Sequence, residues 1–240
     1  MHLLTTDIIT TGRTRALSLS TIAFTACFAV WTIFSIIGIQ IKSDLGLSET
    51  QFGLLVGAPV LTGSLIRLVL GIWTDQIGGR IVLTLVMLSA AVATALLSFA
   101  YDYPTFLLAA LGVGIAGGSF SVGVAYVSRF FPKETQGTAL GIFGMGNVGA
   151  AVTKFAAPAV MVSYGWQMVA YVWAAALAVL AVVFYLTAQD DPDLRARRAE
   201  RRPAESFWVQ LAPLTRIQVW RFALYYFFVF GAFVALALWL

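Results

Sequence analysis

Long apolar runs separated by short polar breaks dominate the chain from residue 17 to residue 240. A helix that crosses ~30 Å of hydrocarbon needs roughly 20 mostly apolar residues. By that criterion the pattern predicts membrane-spanning segments, which we expect to be helical because lipid offers no partner to open backbone groups. The seven predicted spans are 17–41, 51–73, 80–101, 105–128, 137–161, 166–188 and 219–240.

Polar breaks separate these spans, and the break before the seventh span differs from the others. Residues 189–218 are polar, rich in Arg, and contain Pro192, Pro203 and Pro213. This composition predicts a loop or a surface helix rather than a membrane span. The shorter breaks lie at Lys42–Ser48, Asp75–Gly79, Asp102–Pro104, Pro132–Thr135 and Tyr164–Gly165.

Basic residues collect on one side of the predicted spans, whereas Lys42 is the only basic residue in the opposite loops. The basic side of a membrane protein is normally cytoplasmic, so we expect a cytoplasmic amino terminus and a cytoplasmic 189–218 segment. Anionic lipid binding by the arginines of 195–202 is an alternative use of the same charge. The basic residues on this side are Arg13, Arg15, Arg80, Arg129, Lys133, Arg195, Arg197, Arg198, Arg201, Arg202, Arg216 and Arg221.

The order of the spans predicts the domain organisation. Six spans, a long basic cytoplasmic connector and a seventh span are typical of transporters built from two six-helix halves. We therefore expect a first half at 1–188, a connector at 189–218 and the first helix of a second half at 219–240, with the remainder of the transporter beyond Leu240. The apolar run after Arg15 is too long for a cleavable signal peptide. A complete seven-helix receptor is the alternative, although receptors usually place the amino terminus outside.

Composition excludes most soluble and enzymatic functions. The 240 residues are 60% hydrophobic and 11% charged, whereas soluble domains are about half apolar and about one quarter charged. The single Cys27 rules out an intrachain disulfide, and His2 is the only histidine. Ser119 and Ser121 have no neighbouring base. We therefore predict no catalytic residue, metal site, cofactor or nucleic-acid partner, and a lipid bilayer as the surrounding medium.

Two basic residues, Arg67 and Lys154, lie well inside predicted spans, whereas Arg80 and Arg221 lie at the ends of theirs. A cation at membrane depth costs at least ~2.5–3.5 kcal/mol, and a carboxylate would normally offset that cost. Because the acidic residues all fall in predicted loops or at predicted helix ends, a bound anion is the leading source of the missing charge. Snorkelling is the alternative, since Arg67 lies six residues, about 9 Å, before Trp73. The acidic residues are Asp7, Asp44, Glu49, Asp75, Asp102, Glu134, Asp190, Asp191, Asp193, Glu200 and Glu205.

Glycines at helical spacing mark the fourth and fifth spans. Such spacing permits close approach of helix backbones in a membrane, and helix packing explains most of these glycines. Asn147 differs because it stands between Gly146 and Gly149, where its amide can donate to a ligand that approaches the backbone. The glycines are Gly112, Gly114, Gly117, Gly118, Gly123, Gly137, Gly141, Gly144, Gly146 and Gly149.

The segment between the second and third spans resembles a motif of the major facilitator superfamily. Residues 71–80 fit its pattern G-x-x-x-D-x-x-G-x-R at Gly71, Asp75, Gly78 and Arg80. The resemblance implies an all-α major facilitator fold, with these four residues forming a conformational latch that stabilises the outward-facing state.

A second resemblance is more specific. Residues 141–149 (GIFGMGNVG) and the preceding 129–141 are similar to the glycine-rich fifth span of the nitrate/nitrite porter family. Arg67 occupies the position of that family's substrate-binding arginine in the second span. The resemblance implies nitrate binding by Arg67, with Asn147, Gly144 and Gly146 nearby. It also implies aromatic walls formed by Phe34, Phe120, Tyr226 and Phe230.

The resemblance also implies a coupling mechanism and a location in the bacterial cell inner membrane. A planar guanidinium matches the planar nitrate ion. Lys154 departs from the nitrite-exchanging members, in which we expect an uncharged residue at this position. Because burial of an ammonium group favours its neutral form, a desolvated lysine near Arg67 is the proton-coupling candidate. We therefore expect a nitrate/proton symporter, of the type usually paired with a second nitrate/nitrite transporter. Nitrate/nitrite antiport and a nitrate-responsive receptor on the same fold are the alternatives, and the latch residues argue against the receptor.

Overall fold

The computed structural model describes residues 2–200 and 207–239, and the regular structure in these residues is entirely helical. This arrangement confirms the predicted all-α fold class. The α-helices are α1 (His2–Trp31), α2 (Phe34–Leu45), α3 (Glu49–Ile77), α4 (Gly79–Leu97), α5 (Tyr103–Val113), α6 (Ser119–Ser128), α7 (Lys133–Gly144), α8 (Gly149–Tyr164), α9 (Trp166–Thr187), α10 (Pro192–Ala199), α11 (Phe207–Leu211) and α12 (Ile217–Trp239).

Seven helical segments in the described part of the chain are long and apolar enough to cross a membrane, which confirms the seven predicted spans. Several helices are longer than the apolar runs that predicted them. The helix of the first span begins at His2 rather than near residue 17, because polar turns can continue a helix without adding an apolar signal. The candidate spans are Thr11–Leu45, Glu49–Ile77, Gly79–Leu97, Tyr103–Ser128, Lys133–Tyr164, Trp166–Thr187 and Ile217–Leu238.

Three of the spans contain an internal break. The first span breaks at Thr32 and Ile33, where the Thr32 hydroxyl donates to the Phe28 carbonyl at 3.0 Å. Such back-bonding by a hydroxyl tends to bend a helix. The fourth and fifth spans change to tighter 3₁₀ turns at Gly114–Gly118 and Met145–Val148, both within glycine-rich sequence. Side chains on the two sides of a break therefore do not share the helix face that continuous α-helical spacing would give them.

Polar caps define the amino ends of two spans. Ser48 precedes α3, and its hydroxyl accepts from the Gln51 backbone N–H at 3.3 Å. Asp102 precedes α5 in the same way and accepts from the Thr105 backbone N–H at 3.0 Å. Hydrogen bonds from the Thr105 side chain and backbone hold the pKa of the Asp102 carboxyl below its ordinary value. Both helices therefore begin with a capping box that satisfies their first open N–H groups.

The observed helix ends place Arg67 and Lys154 further from the ends of their helices than the sequence predicted. The second span continues past Trp73 to Ile77, so Arg67 lies ten residues, about 15 Å, from that helix end. Lys154 lies ten residues before Tyr164, the last residue of α8. The predicted distance of about 9 Å for Arg67 was therefore too short. A long side chain that snorkels would have to reach correspondingly further to leave the hydrocarbon.

Close backbone packing joins α1 to α8. A Cβ atom added at Gly149 would clash with the carbonyl oxygen of Thr25 and the backbone nitrogen of Ala29. One turn further along α8, Thr153 donates to the Ala29 carbonyl at 2.6 Å and accepts from the indole N–H of Trp173 at 2.9 Å. This buried chain of hydrogen bonds ties α1, α8 and α9 together. Gly149 therefore serves helix packing, as the sequence indicated for most of these glycines.

The predicted connector contains two short helices, α10 and α11, and a 3₁₀ turn at Ala212–Thr215. Residues 201–206, which include the predicted connector residues Arg201, Arg202 and Pro203, lie outside the described residues. The α10 helix packs against the turn between α3 and α4.

We predict that Gly149→Ala destabilises the helix bundle, because the new methyl group meets fixed backbone atoms of α1. Overpacking of this kind typically costs ~1–3 kcal/mol. The thermal unfolding midpoint in detergent micelles measures the effect. Gly141→Ala is the matched control, since a Cβ atom there meets nothing within 4 Å. Equal midpoints for the two variants would contradict the packing described here.

Candidate anion-binding site

A cavity of about 520 Å³ lies between α3 and α12. Aromatic and aliphatic side chains form most of its wall, and the polar groups among them are few. Sites for small molecules commonly combine a largely apolar wall with a few convergent polar groups. The lining residues are Trp31, Gly57, Val60, Leu61, Ser64, Arg67, Ala223, Tyr226, Phe227, Phe230, Gly231, Val234 and Ala235.

Arg67 supplies the positive charge of this cavity. Its guanidinium carbon lies 5.7 Å from the Phe120 ring centre and 5.4 Å from the Phe230 ring centre. One terminal N–H group points to the Tyr226 hydroxyl at 3.5 Å, while the buried Nε atom has no hydrogen-bond partner among the described residues. Arg67 takes part in none of the ion pairs found in those residues. Rings and a hydroxyl attract a cation without neutralising it.

Three aromatic rings form a layer beside the guanidinium. Tyr226 and Phe230 stack with ring centres 5.0 Å apart and an interplanar angle of 13°. Phe120 is nearly parallel to both, with its ring centre 6.2 Å from Tyr226 and 6.4 Å from Phe230. The structure therefore brings together Arg67 and the three predicted wall residues Phe120, Tyr226 and Phe230.

Trp31 is a wall residue that was not among the predicted site residues. Its indole N–H donates to the Pro59 carbonyl at 2.9 Å, across the interface between α1 and α3. Gly63 and Gly117 leave room for the ring. A Cβ atom added at Gly63 would lie 3.0 Å from the indole nitrogen, and one added at Gly117 would lie 2.7 Å from it. A buried tryptophan usually finds a partner for its N–H, but only the fold shows that the partner lies beside this cavity.

Phe34, the fourth predicted wall residue, lies elsewhere. It is 1% exposed at the start of α2 and is not among the residues that line the cavity. In a continuous helix, positions 31 and 34 would share one face. The break at Thr32 and Ile33 interrupts that relation, so Trp31 lines the cavity and Phe34 is buried between helices.

The glycine-rich segment of the fifth span lies behind the aromatic layer. Gly146 packs against Phe24, which in turn stands 5.4 Å from Phe120, centre to centre. The Asn147 side-chain amide donates to the Gly144 carbonyl at 2.9 Å, and its Oδ1 atom is buried without a partner among the described residues. None of Gly144, Gly146 and Asn147 lines the cavity that contains Arg67.

Lys154 also lies away from this cavity. It is partly buried on α8, which packs against α1, α2 and α9, and it is not among the cavity residues. The sequence placed a desolvated lysine close to Arg67, and the described cavity does not bring the two side chains together.

The predicted latch residues surround the turn between α3 and α4. Asp75 forms an ion pair with Arg129, whereas Arg80 lies 3.6 Å from Asp190 and donates twice to the Tyr185 carbonyl, at 3.0 and 2.7 Å. Gly78 forms the turn with φ +96°, a conformation that favours glycine. At Gly71 an added Cβ atom would meet nothing within 4 Å.

Seven membrane-length helices with a cationic, aromatic-walled cavity define a multi-pass membrane protein with a candidate solute site. Residues 19–240 match the Major Facilitator Superfamily, and the chain belongs to that family of transporters. The fold agrees with that assignment. A crystal structure of a bacterial homologue of the human lysosomal transporter Spinster superposes with a TM-score of 0.64 at 20% identity, over 75% of this chain and 44% of that one.

Several curated relatives carry names that refer to nitrate or nitrite. The "Probable nitrate/nitrite antiporter NarK1" of Thermus thermophilus is 43% identical over 95% of this chain and 53% of its own length. The "Nitrite extrusion protein" of Bacillus subtilis is 33% identical over 93% of this chain and 55% of its own length. The "Probable nitrate transporter NarT" of Staphylococcus carnosus is 33% identical over 75% of this chain and 46% of its own length. The chain spans about half the length of these relatives.

We predict that the charge of Arg67 concentrates anions in the cavity. In a Ser64→Cys variant, a sulfonate-bearing methanethiosulfonate reagent should modify the thiol faster than its trimethylammonium counterpart. Adding Arg67→Gln should reduce the ratio of the two rates about tenfold, the equivalent of ~1.4 kcal/mol. The wild-type protein measures the background, because Cys27 is fully buried. A ratio that does not change would show that Arg67 does not set the potential of this cavity.

Proposed function

We propose that this chain is part of a secondary active nitrate transporter that takes up nitrate by proton symport through alternating access. In this proposal, residues 1–188 are the first six-helix half, 189–218 the cytoplasmic connector and 219–240 the first helix of the second half. The protein lies in the bacterial cell inner membrane with a cytoplasmic amino terminus. Nitrate and protons are its transported partners, and it works beside a second nitrate/nitrite transporter.

The observation that carries the proposal is a cation that pairs with no carboxylate of the described residues, inside an aromatic cavity. Arg67 is held by two ring faces and a phenol hydroxyl, and its Nε–H is left without an acceptor among the described residues. An anion that enters the cavity can supply both the negative charge and the missing acceptor. The site is therefore suited to a small oxyanion rather than to a cation or a neutral solute.

The shape of the site favours nitrate among small oxyanions. Nitrate is planar and delocalised, so its oxygens can accept two parallel N–H groups of a guanidinium while its faces contact aromatic rings. The parallel rings of Tyr226 and Phe230 supply such faces beside Arg67. Strongly hydrated anions would lose more hydration energy against an aromatic wall than they regain there. The names of the relatives support nitrate or nitrite as the substrate.

The remaining predicted site residues have indirect roles in this proposal. Gly146 supports the aromatic layer from behind, because it packs against Phe24, which in turn lies against Phe120. Asn147 and Gly144 are joined by a hydrogen bond beside it. Phe34 holds α2 in place below the helix break. Asp75 and Arg80 belong to the cytoplasmic latch, and a latch is of more use to a transporter than to a nitrate-responsive receptor.

Lys154 is the proton-coupling candidate. It lies ten residues from the end of α8, and the ion pairs of the described residues do not include it. A cation within a membrane-spanning helix is costly unless a counter-charge lies nearby. Because nitrate is a very weak base, the proton needs a protein group of this kind to carry it. Antiport, the alternative, exchanges nitrate for nitrite and needs no such group.

We predict that the full-length protein in liposomes accumulates nitrate when a proton gradient is imposed, without nitrite inside. Lys154→Gln should abolish this proton-driven accumulation and retain nitrate exchange across the membrane. Lys133→Gln is the matched control, because it removes the same charge at an exposed position where α7 begins.

The alternatives give different results in the same assay. Uptake that appears only with nitrite loaded inside would establish antiport and overturn the role of Lys154. An unchanged pH dependence in Lys154→Gln would overturn that role as well. An absence of flux under both conditions would favour the receptor.

A further inference from the structure

The chain that leads into α12 carries an apolar surface that the described residues leave open. This 207–221 segment comprises the short helix α11, the 3₁₀ turn at Ala212–Thr215 and the first turn of α12. Trp208 is 77% exposed, although tryptophan is among the side chains that gain most from leaving water. The exposed large apolar side chains of the segment are Phe207, Trp208, Val209, Leu214, Ile217 and Trp220.

The length of α12 indicates how deep this segment lies in the membrane. The candidate span Ile217–Leu238 contains 22 residues, which is about 33 Å at 1.5 Å per residue. A bilayer has ~30 Å of hydrocarbon, so Ile217 lies close to one border of the hydrocarbon when α12 spans the membrane. Residues 207–216 therefore begin at the level of the lipid headgroups.

A hydrogen bond keeps the segment close to that border. The indole N–H of Trp220 donates to the Leu214 carbonyl at 2.8 Å and ties the 3₁₀ turn to the first turn of α12. The adjoining helix α11 therefore remains near the start of the span. Tryptophan is enriched at membrane–water interfaces, where its ring meets apolar groups and its N–H finds an acceptor. Position and residue type thus agree on the headgroup region.

The charge of the segment fits a lipid surface. Residues 207–221 contain Arg216 and Arg221 and no acidic residue. Both arginines are exposed, and neither takes part in the ion pairs found in the described residues. The arginines of the neighbouring helix α10 differ, because they donate to protein oxygens. Arginines without a protein counter-ion, beside exposed aromatic rings, match the composition of segments that lie on anionic membranes.

We propose that the 207–221 segment is an in-plane membrane anchor that binds anionic phospholipids. Its aromatic side chains enter the headgroup region, and Arg216 and Arg221 pair with the phosphate groups there. The anchor holds the end of the connector and the start of α12 at a constant depth. This inference goes beyond nitrate transport, because it does not depend on which solute the protein carries. The described cavity around Arg67 contains no residue of the segment.

The first test measures the depth of the segment. A spin label at Val209→Cys, in the full-length protein in liposomes of phosphatidylcholine and phosphatidylglycerol, reports collisions with oxygen and with a water-soluble nickel chelate. Oxygen concentrates in lipid, so the label should collide with oxygen more often than with the chelate. Asp193→Cys is the matched control, because its side chain is 76% exposed on the charged helix α10 and the chelate should dominate there.

The second test identifies the lipid. Trp208 is replaced by benzoylphenylalanine, a photoactivatable aromatic residue, and mass spectrometry identifies the lipids that it captures in the same liposomes. Phosphatidylglycerol should be enriched over its share of the bilayer. Arg216→Gln combined with Arg221→Gln should lower this enrichment about fivefold or more, since each basic residue near an anionic surface adds a comparable factor. Arg15→Gln combined with Lys133→Gln is the control, because it removes the same charge from exposed positions elsewhere.

The outcomes separate the anchor from its alternatives. A label at residue 209 that prefers the chelate would place the segment in water and overturn the proposal. A label shielded from both reagents would show that protein covers the segment, either the remainder of the transporter or a partner, and would also overturn it. Equal enrichment in the two double variants would overturn headgroup binding by the arginines. An absence of nitrate flux would count against the proposed transporter and leave both lipid results unaffected.

Discussion

The positive charge of Arg67 within the membrane interior is the constraint on which the rest of the site depends. A cation at that depth requires compensation, and the described residues provide ring faces and a hydroxyl rather than a carboxylate. A carboxylate would neutralise the arginine permanently and remove its attraction for a substrate. Incomplete compensation leaves the site dependent on an anion, which is the property that a transporter of anions requires.

The α3 helix connects this site to the cytoplasmic end of the molecule. Trp31 anchors α3 through the Pro59 carbonyl, Arg67 lies two turns further, and Asp75 follows after about 12 Å of helix. Beyond it, Arg129 and Asp191 attach the turn after α3 to the connector. Arg67 and Asp75 lie on the same helix, and a helix moves largely as a rigid element. A displacement of α3 at Arg67 therefore also moves Asp75 relative to Arg129. The cavity around Arg67 and the predicted latch around Asp75 therefore lie at two positions along one helix.

Apolar length and charge were sufficient to predict the all-helical fold, the seven spans and Arg67 as an intramembrane cation. The aromatic partners Phe120, Tyr226 and Phe230 came from the resemblance rather than from any pattern in the residues. Phe34 lies outside the described cavity, and the helix break at Thr32 that precedes it leaves no apolar signal in the sequence. The ion-pair partners of Arg129 could not be predicted from the sequence either. They lie 54 and 62 positions away along the chain, and such contacts form only when the helices pack. Packing, rather than composition, decides which face of each helix meets the cavity.

Equilibrium binding of nitrate to the full-length protein in nanodiscs, measured by titration calorimetry, tests the central claim most directly. The account predicts that wild-type protein binds nitrate and that Arg67→Gln weakens binding about a hundredfold, because both the charge and its hydrogen bonds are lost. Arg67→Lys should weaken binding about tenfold, since it keeps the charge and loses the planar fork of donors. Undiminished nitrate affinity in Arg67→Gln would contradict the account.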